Sequence, residues 1–352
     1  VKANGYGHGS VMVARAALAA GAHQLAVATV DEGIYLRAAG IREPILVMGP
    51  IGDAECFAAV NSDLELTVTT VEEVNTVSAV TRVGPNARVH LKIDTGMRRY
   101  GCDPEQAVAL AREIASNPRL TVAGTFTHLA CADDPDSAVS EHQASQFNRV
   151  IEALRAVNLS TGLLHMANSA ATLGSARYHY DAVRVGIALY GLQPDPTKGL
   201  PAGLAPALEL RSKVSRVSTL SKGSGVSYGW TYRAMGEERI GLIPIGYGDG
   251  YPRALSSRGV MSILGYRVPV RGRVCMDQTV VGLPSETNIS VGDDVVIVGD
   301  GNTAPSFDEI AVGLGTLSYE LVTSIAKRVP RDYLRKGTIV AVEDLSGLHE
   351  FD

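Results

Sequence analysis

The chain opens with VKANGYGHG, in which one lysine precedes a segment rich in glycine. A lysine at the carboxyl end of a buried strand can form a Schiff base with a carbonyl cofactor. Gly5, Gly7 and Gly9 would let backbone N–H groups come close to a bound ligand. Lys2 is therefore a candidate catalytic residue, and an exposed lysine beside a turn is the plainer alternative.

The elements that must position such a lysine are strands and helices that alternate from residue 1 to about residue 200. Seven runs are apolar along their length, which is typical of parallel strands buried on both faces. They cover residues 24–30, 44–48, 64–69, 88–93, 122–128, 163–166 and 183–189. The amphipathic segments between them predict helices, with Thr70 and Asp103 as N-caps.

This repeated strand–helix order predicts a parallel sheet with right-handed crossovers. The seven runs, together with an N-terminal piece that we expect to precede Val1, favour an eight-stranded (β/α) barrel of the TIM type. A doubly wound sheet is the alternative. Both folds bring functional side chains to the carboxyl ends of the strands, and we expect Lys2 to end the first strand.

A segment rich in proline and glycine, residues 191–206, ends this pattern. Beyond it, runs such as RIGLIPIG and GDDVVIVG contain alternating and β-branched residues, which predicts antiparallel strands. One helix is expected at about residues 306–327, with Ser306 as its N-cap and Glu309 completing a capping box. We therefore expect a barrel domain over residues 1–203 and a mainly β domain over residues 204–352.

The composition argues against several classes of function. The chain has 32 Lys and Arg against 37 Asp and Glu, and its net charge of -5 does not suit a nucleic-acid-binding surface. No apolar run reaches the roughly 18 residues that a membrane span needs, and we expect no secretory leader. The four cysteines lie far apart and lack zinc-ligand spacing, which predicts thiols in a reducing cytoplasm and no metal site.

Nine segments together resemble one family. VKANGYGHG is similar to the pyridoxal phosphate attachment motif of the alanine racemases, and eight further segments resemble blocks of that family in the same order. They are KIDTGMRRYG (92–101), FTHLA (126–130), HMANSAA (165–171), RVGIALYG (184–191), VSYG (226–229), IGYGDGYPR (245–253), GRVCMDQ (272–278) and RVPR (328–331). The resemblance spans almost the whole chain and implies a barrel followed by a β domain.

The resemblance implies a reaction with two catalytic bases. Lys2 would hold pyridoxal phosphate as a Schiff base and act as one base, and Tyr228 from a partner subunit would act as the other. Racemisation removes the Cα proton on one face and returns it on the other, so two groups on opposite faces suffice. Lys2 would serve the D-enantiomer and Tyr228 the L-enantiomer, in a head-to-tail homodimer with shared active sites. A tyrosine that packs in the β domain is the plainer interpretation of Tyr228 alone.

The resemblance also implies how the cofactor is oriented. Arg184 would face the pyridine nitrogen and donate a hydrogen bond without protonating it, because a guanidinium keeps its protons. The ring would then stay a weaker electron sink, which restrains transamination and decarboxylation. His165 would orient Arg184. Taken alone, Arg184 is equally compatible with a strand-end arginine paired with Asp181, and His165 with a core histidine.

Further residues of the matching blocks are implied as ligands of the cofactor's phosphate and ring. They are the hydroxyls of Tyr6 and Ser169, the backbone of Gly186 and Ile187 and, stacked on the ring, His128. Strand-end packing is the alternative for His128. The chain departs from the family at Lys327, where many members have a tyrosine that contacts the phosphate. This departure leaves the corresponding contact open.

Arg99 is implied to contact the substrate carboxylate and the cofactor's phenolic oxygen. Lys92 matches a lysine that many family members have as a carbamate, which would replace repulsion of Arg99 with pairing. Arg98 stands where glycine is common, and no role is assigned to it. The partner subunit would add residues near the substrate carboxylate and the entrance, namely Met276, Asp277 and Tyr247.

The expected function is therefore interconversion of L- and D-alanine, which would supply D-alanine for peptidoglycan. A serine or broad-specificity racemase is the nearest alternative, because one hydroxyl or methylene changes binding by only about 1–3 kcal/mol. A binding protein without catalysis would resemble the barrel alone and would lack Tyr228. A barrel-plus-β decarboxylase would have an acidic residue where Arg184 stands.

Overall fold

The computed structural model describes residues 1–134 and 138–351. Contacts within the chain divide it into two compact units, Val1–Gly186 and Ile187–Asp352. In the described residues, no helix is long and apolar enough to cross a membrane, and no three His, Cys, Asp or Glu side chains are grouped to hold a metal ion. All four cysteines are free thiols, as predicted.

The first unit is built on one parallel sheet whose six strands are hydrogen-bonded in chain order. The strands are β1 (Leu25–Val27), β2 (Ile45–Val47), β3 (Glu65–Val68), β4 (Ala87–Lys92), β5 (Leu120–Phe126) and β6 (Leu163–His165). Its helices are α1 (Lys2–Tyr6), α2 (Ser10–Ala19), α3 (Val30–Ala38), α4 (Asp53–Asn61), α5 (Val71–Thr81), α6 (Ala107–Ser116), α7 (Ala138–Ala156) and α8 (Ser169–Gly174). The predicted barrel-type α/β architecture is confirmed.

Local sequence signals explain where these helices begin. The Thr70 hydroxyl accepts a hydrogen bond from the Glu73 N–H at 3.2 Å, and the Glu73 carboxylate accepts one from the Thr70 N–H at 3.2 Å. This capping box confirms Thr70 as the N-cap of α5. Asp103 precedes the 3₁₀ turn Pro104–Gln106 without a side-chain capping bond, because its carboxylate instead pairs with Arg98 at 3.2 Å.

Two strand predictions for the first unit are wrong. The seventh run, 183–189, contributes no strand to the described structure, because its N–H groups bond elsewhere; the Arg184 N–H, for example, donates to the carbonyl of Ala167 at 2.9 Å. Only one isolated parallel bridge, between His165 and Ala182, continues the sheet there. Lys2 also does not end a strand but begins α1, whose backbone is left-handed over residues 3–6.

The second unit is mainly antiparallel β structure, as predicted. Its strands are β7 (Leu210–Lys213), β8 (Arg216–Leu220), β9 (Gly225–Val226), β10 (Tyr232–Arg233), β11 (Glu238–Ile243), β12 (Val260–Ile263), β13 (Tyr266–Pro269), β14 (Thr279–Leu283), β15 (Asp294–Val298), β16 (Arg331–Arg335), β17 (Thr338–Asp344) and β18 (Gly347–Glu350). They form sheets ordered β14-β11-β8, β13-β12-β15-β7 and β16-β17-β18, with β9 and β10 as a separate pair.

The single helix expected at about residues 306–327 is two helices, α9 (Phe307–Leu314) and α10 (Ser318–Thr323). Gly315 ends α9 with a φ of 69°, a left-handed conformation that glycine adopts without steric cost. Ser306 is confirmed as the N-cap and accepts the Glu309 N–H at 3.0 Å. The Glu309 carboxylate pairs with Arg267, so the predicted capping box is not completed by its side chain.

Candidate active site

A cluster of cations lies at the carboxyl ends of the parallel strands. Burial, and then the charges of Arg184, Arg99, Lys92 and Lys2, lower the pKa of His128 to about 3. The same effect lowers the pKa of Lys92 to about 8, through burial first and then repulsion from Arg99 and Arg184. The cluster therefore has a neutral imidazole among several positive groups, which favours anionic ligands.

Arg184 is held by a fixed set of acceptors. Its Nη2 donates to the carbonyls of Thr127, at 2.7 Å, and Met166, at 3.1 Å, and its Nη1 donates to Nδ1 of His165 at 3.0 Å. Burial lowers the pKa of Arg184 to about 10, so the guanidinium stays charged at neutral pH. Asp181 does not serve Arg184, because its carboxylate accepts the backbone N–H of Leu164 at 2.8 Å.

The two histidines of the cluster differ in their surroundings. His165 is buried at the end of β6, where its ring stacks on Phe126 with 4.7 Å between centroids. Burial, followed by the charge of Arg184, lowers the pKa of His165 well below its usual value. His128 lies with its Nδ1 3.4 Å from Nη2 of Arg184. Both imidazoles are therefore neutral acceptors toward the same guanidinium.

A small polar cradle is formed by Tyr6, Ser169 and Gly186. The Gly186 N–H donates to the Ser169 hydroxyl at 2.8 Å. A Cβ at Gly186 would collide with the Tyr6 hydroxyl and lie 3.0 Å from its Cζ, so a larger residue here would displace the Tyr6 ring or the backbone. Burial raises the pKa of Tyr6, which keeps its hydroxyl protonated and able to donate. Lys2 is beside this cradle, with its Nζ 5.9 Å from the centre of the Tyr6 ring.

Arg99 is positioned by a carboxylate that the sequence reasoning missed. Asp94 follows β4 and accepts the backbone N–H groups of Gly96 and Arg98, both at 2.9 Å, and of Arg99 at 3.0 Å. These three bonds fix the loop that presents Arg99. The side chain of Arg98 is directed to Asp103 at the surface, which accounts for its position but gives it no role among the cations. A run of small and polar residues directly after a strand, DTGMRR, is the signal that could have identified Asp94.

Lys92 ends β4 and is buried against two aromatic rings. Its Nζ lies 4.6 Å from the centre of the Tyr100 ring and 5.5 Å from that of Phe126. The Tyr100 hydroxyl donates to the Glu73 carboxylate at 3.1 Å, which holds that ring in place. Lys92 is thus confined in a pocket with a second cation, Arg99, acting on it.

The remaining sequence-derived residues belong to the second unit. Tyr228 begins the 3₁₀ turn Tyr228–Trp230, and its side chain is 71% exposed. This turn is tied down by Ser227, whose hydroxyl donates to the carbonyl of Arg273 at 2.6 Å. The loops that contain Tyr247 and Met276 lie side by side, because the N–H of Gly248 donates to the Met276 carbonyl at 2.8 Å.

The structure also shows a functional candidate in the second unit that the sequence reasoning did not select. Arg328 forms an ion pair with Asp249 at 2.7 Å and with Asp277 at 2.6 Å, and so links two loops that present predicted site residues. Lys327, its neighbour, is exposed. Ile187, expected beside the phosphate, is fully buried at the first position of the second unit.

The structure therefore brings most of the predicted residues into two groups, one in each unit. The first group is in the barrel-type unit and consists of Lys2, Tyr6, Lys92, Arg99, His128, His165, Ser169, Arg184 and Gly186. The second group consists of Tyr228, Tyr247, Met276 and Asp277. The two residues expected to act as bases, Lys2 and Tyr228, thus lie in different units.

Comparison with known protein families identifies the family of this protein. Residues 1–194 match the family model for the alanine racemase N-terminal domain, and residues 207–333 match that for the alanine racemase C-terminal domain. The chain belongs to the alanine racemase family. Alanine racemases are isomerases that depend on pyridoxal phosphate, so the resemblance found from the sequence motifs is confirmed.

Individual alanine racemases are similar over nearly the whole chain. The enzyme of Symbiobacterium thermophilum is 43% identical over 335 residues, which are 95% of this chain and 89% of that protein. A crystal structure of alanine racemase from Bacillus anthracis with bound L-Ala-P has a TM-score of 0.91 at 38% identity and covers 98% of this chain and 89% of that one. Alanine racemase from Streptomyces lavendulae has a TM-score of 0.90 at 39% identity, with 95% and 89% covered.

The first unit fits the cofactor of the alanine racemases. The cradle of Tyr6, Ser169 and Gly186 offers two hydroxyls and a backbone amide, and the Cβ that Gly186 lacks would fill it. The surrounding cations suit a phosphate, and the fixed guanidinium of Arg184 could donate a hydrogen bond to a ring nitrogen. Lys2 is the amine beside the cradle.

Proposed function

We propose that this member of the alanine racemases interconverts L- and D-alanine, with Lys2 and Tyr228 as the two bases. The observation that supports this most strongly is the buried set of hydrogen-bond acceptors around Arg184, which lies in the same cluster as Lys2. In the part of the chain that the structure describes, no carboxylate is among those acceptors. When bound, pyridoxal phosphate supplies the electron sink that makes the Cα proton of an amino acid removable. The protein then has only to hold the substrate and to move that proton.

The proton transfers are assigned to two atoms. Nζ of Lys2 removes or returns the Cα proton on the face used by the D-enantiomer, and the phenolic oxygen of Tyr228 does so on the face used by the L-enantiomer. The base that removes the Cα proton ends the turnover protonated, and the base that returns a proton ends it deprotonated. The two therefore exchange states when the reaction runs in reverse.

Arg184 limits the chemistry to racemisation. A guanidinium donates a hydrogen bond to the pyridine nitrogen but does not release its proton, even with the pKa lowered to about 10. Because the pyridine nitrogen would stay unprotonated, the cofactor would be a weaker electron sink, and Cα would receive its proton back from the second base. We assign His165 to orientation of Arg184, His128 to stacking on the ring, and the phosphate to Tyr6, Ser169, Gly186 and Ile187.

Arg99 and Lys92 form the substrate side of the proposed site. Arg99 binds the substrate carboxylate from the loop that Asp94 fixes. Lys92 is assigned as a carbamate, because the lowered pKa of about 8 makes its neutral amine accessible and because an anion there would pair with Arg99.

We propose that a homodimer completes each site, with Tyr228 and three neighbours contributed by the partner subunit. Tyr228, Met276 and Tyr247 are 71%, 53% and 43% exposed in this chain, although each is an apolar or aromatic side chain held by a fixed loop. Asp277 lies next to Met276 and is fixed by Arg328. On this proposal the barrel domain comprises residues 1–203, the β domain comprises residues 204–352, and the enzyme supplies D-alanine for peptidoglycan in the cytoplasm.

One experiment tests the function and its substrate. The protein, loaded with pyridoxal phosphate, is incubated in deuterated water with L-alanine and separately with L-serine, while optical rotation and Cα–H exchange are followed. We expect alanine to racemise well above serine. Comparable rates would support a broad-specificity or serine racemase, and cofactor absorbance without turnover of either would contradict the proposed function.

A further inference from the structure

A buried chain of polar groups connects Arg184 to a carboxylate inside the parallel sheet. Nη1 of Arg184 lies 3.0 Å from Nδ1 of His165, and Nε2 of His165 lies 3.0 Å from Nδ1 of His90. Nε2 of His90 in turn lies 2.9 Å from Oε2 of Glu65. His165, His90 and Glu65 are 4%, 1% and 5% exposed, so water does not compete for these contacts.

The chemistry at the two ends fixes every proton in this chain. Arginine only donates hydrogen bonds and a carboxylate only accepts them. Nδ1 of His165 must therefore be an acceptor, which places the proton of the neutral ring on Nε2. That proton is donated to Nδ1 of His90, and by the same logic His90 has its own proton on Nε2 and donates it to Glu65. All three hydrogen bonds point the same way, from Arg184 to Glu65.

Glu65 is kept ionised at the far end of the chain. Burial acts to raise the pKa of Glu65, but hydrogen bonds from His90 and Arg88, together with the charge of Arg88, outweigh it and lower that pKa below its usual value. Arg88 donates to Oε1 of Glu65 at 2.7 Å, and Gln24 donates to Oε2, the oxygen that also accepts from His90. An unpaired carboxylate at this depth would be costly, so these partners are what allow it to remain charged.

The parallel sheet leaves space for the His90 ring, which is the middle group of this hydrogen-bonded series. His90 is paired with Gly124 across β4 and β5, next to an irregularity in the register. A Cβ at Gly124 would lie 2.5 Å from Nδ1 and 2.7 Å from Cε1 of His90, so a glycine is needed for the ring to reach His165. Phe126 stacks on the His165 ring and holds its plane.

We infer that Glu65 and His90 are positioning residues that act through His165 to hold Arg184 charged and oriented toward the cofactor's ring nitrogen. This inference rests on the proposed function of Arg184. The carboxylate polarises each imidazole in turn, which makes Nδ1 of His165 a stronger acceptor for the guanidinium. The chain also fixes one tautomer of His165, because the other tautomer would turn an N–H toward Arg184.

The test begins with the wild-type protein loaded with pyridoxal phosphate and labelled with ¹⁵N-histidine. Nitrogen NMR should show both His90 and His165 as neutral rings with the proton on Nε2. A proton on Nδ1 of either ring, or a charged ring at neutral pH, would overturn the inference. This measurement needs no variant, so it does not depend on whether an altered protein folds.

The variant Glu65→Gln then removes the charge while keeping the length of the side chain and an oxygen that can accept from His90. We expect the nitrogen and proton signals of both rings to shift, and kcat for alanine to fall by about three- to tenfold with KM changed less than about twofold. The matched control is Asp63→Asn. Asp63 is also a partner of Arg88, at 3.4 Å, but it takes no part in the series of hydrogen bonds from Arg184 to Glu65. The control should leave the histidine signals and kcat unchanged.

Two failures remain distinguishable. If the wild-type protein does not racemise alanine, the proposed function fails, whatever the histidine spectra show. If it racemises alanine but Glu65→Gln leaves the His165 signals and kcat at wild-type values, the positioning role of Glu65 is wrong while the function stands.

Discussion

The two units present their candidate site residues in opposite ways. In the first unit, His165, Ser169 and Lys92 are buried and Arg184 is bonded to carbonyls that follow two neighbouring strands. In the second unit, Tyr228 is exposed at the tip of a fixed turn. The buried residues of the first unit are already positioned to bind a ligand. Tyr228 of the second unit is held in place but contacts solvent, and it would act only on a substrate bound elsewhere. The difference leads us to expect that changes in the first unit disturb the cofactor, and that changes in the second unit stop proton transfer without disturbing it.

The largest loss of racemisation activity is expected for Tyr228→Phe, a change in the second unit. Removing the phenolic oxygen removes one base, so racemisation should fall by about 100- to 10 000-fold, while the absorbance of the bound cofactor is retained. Turnover of alanine and visible absorbance are measured on the same sample. Tyr266→Phe, which alters another exposed tyrosine of the second unit, is the control. Near-normal turnover by the Tyr228 variant would exclude it as a base.

Arg184→Glu is expected to have the next largest effect and a different signature. A carboxyl group would allow the pyridine nitrogen to be protonated, and the variant would lose the donor that the carbonyls of Thr127 and Met166 hold in place. Racemisation should slow by roughly 100-fold, and the proportion of transamination should rise. Products are quantified from single incubations with L-alanine. An unchanged ratio of transamination to racemisation would refute the assigned role of Arg184.

Gly186→Ala tests the cradle in the first unit. The added Cβ would collide with the Tyr6 hydroxyl, so the affinity for pyridoxal phosphate should fall by about tenfold as one of the two must move. Affinity is measured by titrating cofactor into cofactor-free protein. Gly174→Ala is a matched control, because a Cβ at Gly174 meets no atom within 4 Å. Equal affinities of the two variants would contradict the position of the phosphate.

The smallest effect concerns the protonation of Lys92. Its pKa is lowered to about 8, so the neutral amine that reacts with carbon dioxide rises from about a tenth of the population at pH 7 to about nine tenths at pH 9. With ¹³C-labelled bicarbonate, the carbamate signal should grow over this range in the wild type and be absent from Lys92→Arg. A signal that persists in the variant would place the carbamate on another residue.

The sequence predicted the architecture well because its signals are local. The order of strands and helices predicted the first unit, alternating and β-branched residues predicted the second, and Thr70 caps its helix as expected. The run 183–189 failed because it is apolar like a strand, while its N–H groups bond to carbonyls that no local pattern reveals. The family motifs led to candidate site residues, and the structure places Arg184, His165 and Ser169 among them in the first unit.

Residues that act through other residues were missed for a physical reason. Glu65 and His90 lie inside runs treated as apolar strands, and their significance depends on a partner 25 residues away along the chain. The signal was present, because a charged residue in a strand buried on both faces has to be paired. Asp94 was missed because its three bonds go to backbone N–H groups, which every sequence has.

In the proposed mechanism, one subunit's Lys2 works with the partner's Tyr228. The most direct test mixes two inactive variants, Lys2→Ala and Tyr228→Phe, under conditions in which subunits exchange. A mixed dimer would contain one site with both bases intact, so random exchange of equal amounts should restore about a quarter of the wild-type activity. Each variant alone should stay inactive. Mixtures that remain inactive after exchange has been demonstrated would contradict the shared site, because a site built within one chain gains nothing from mixing.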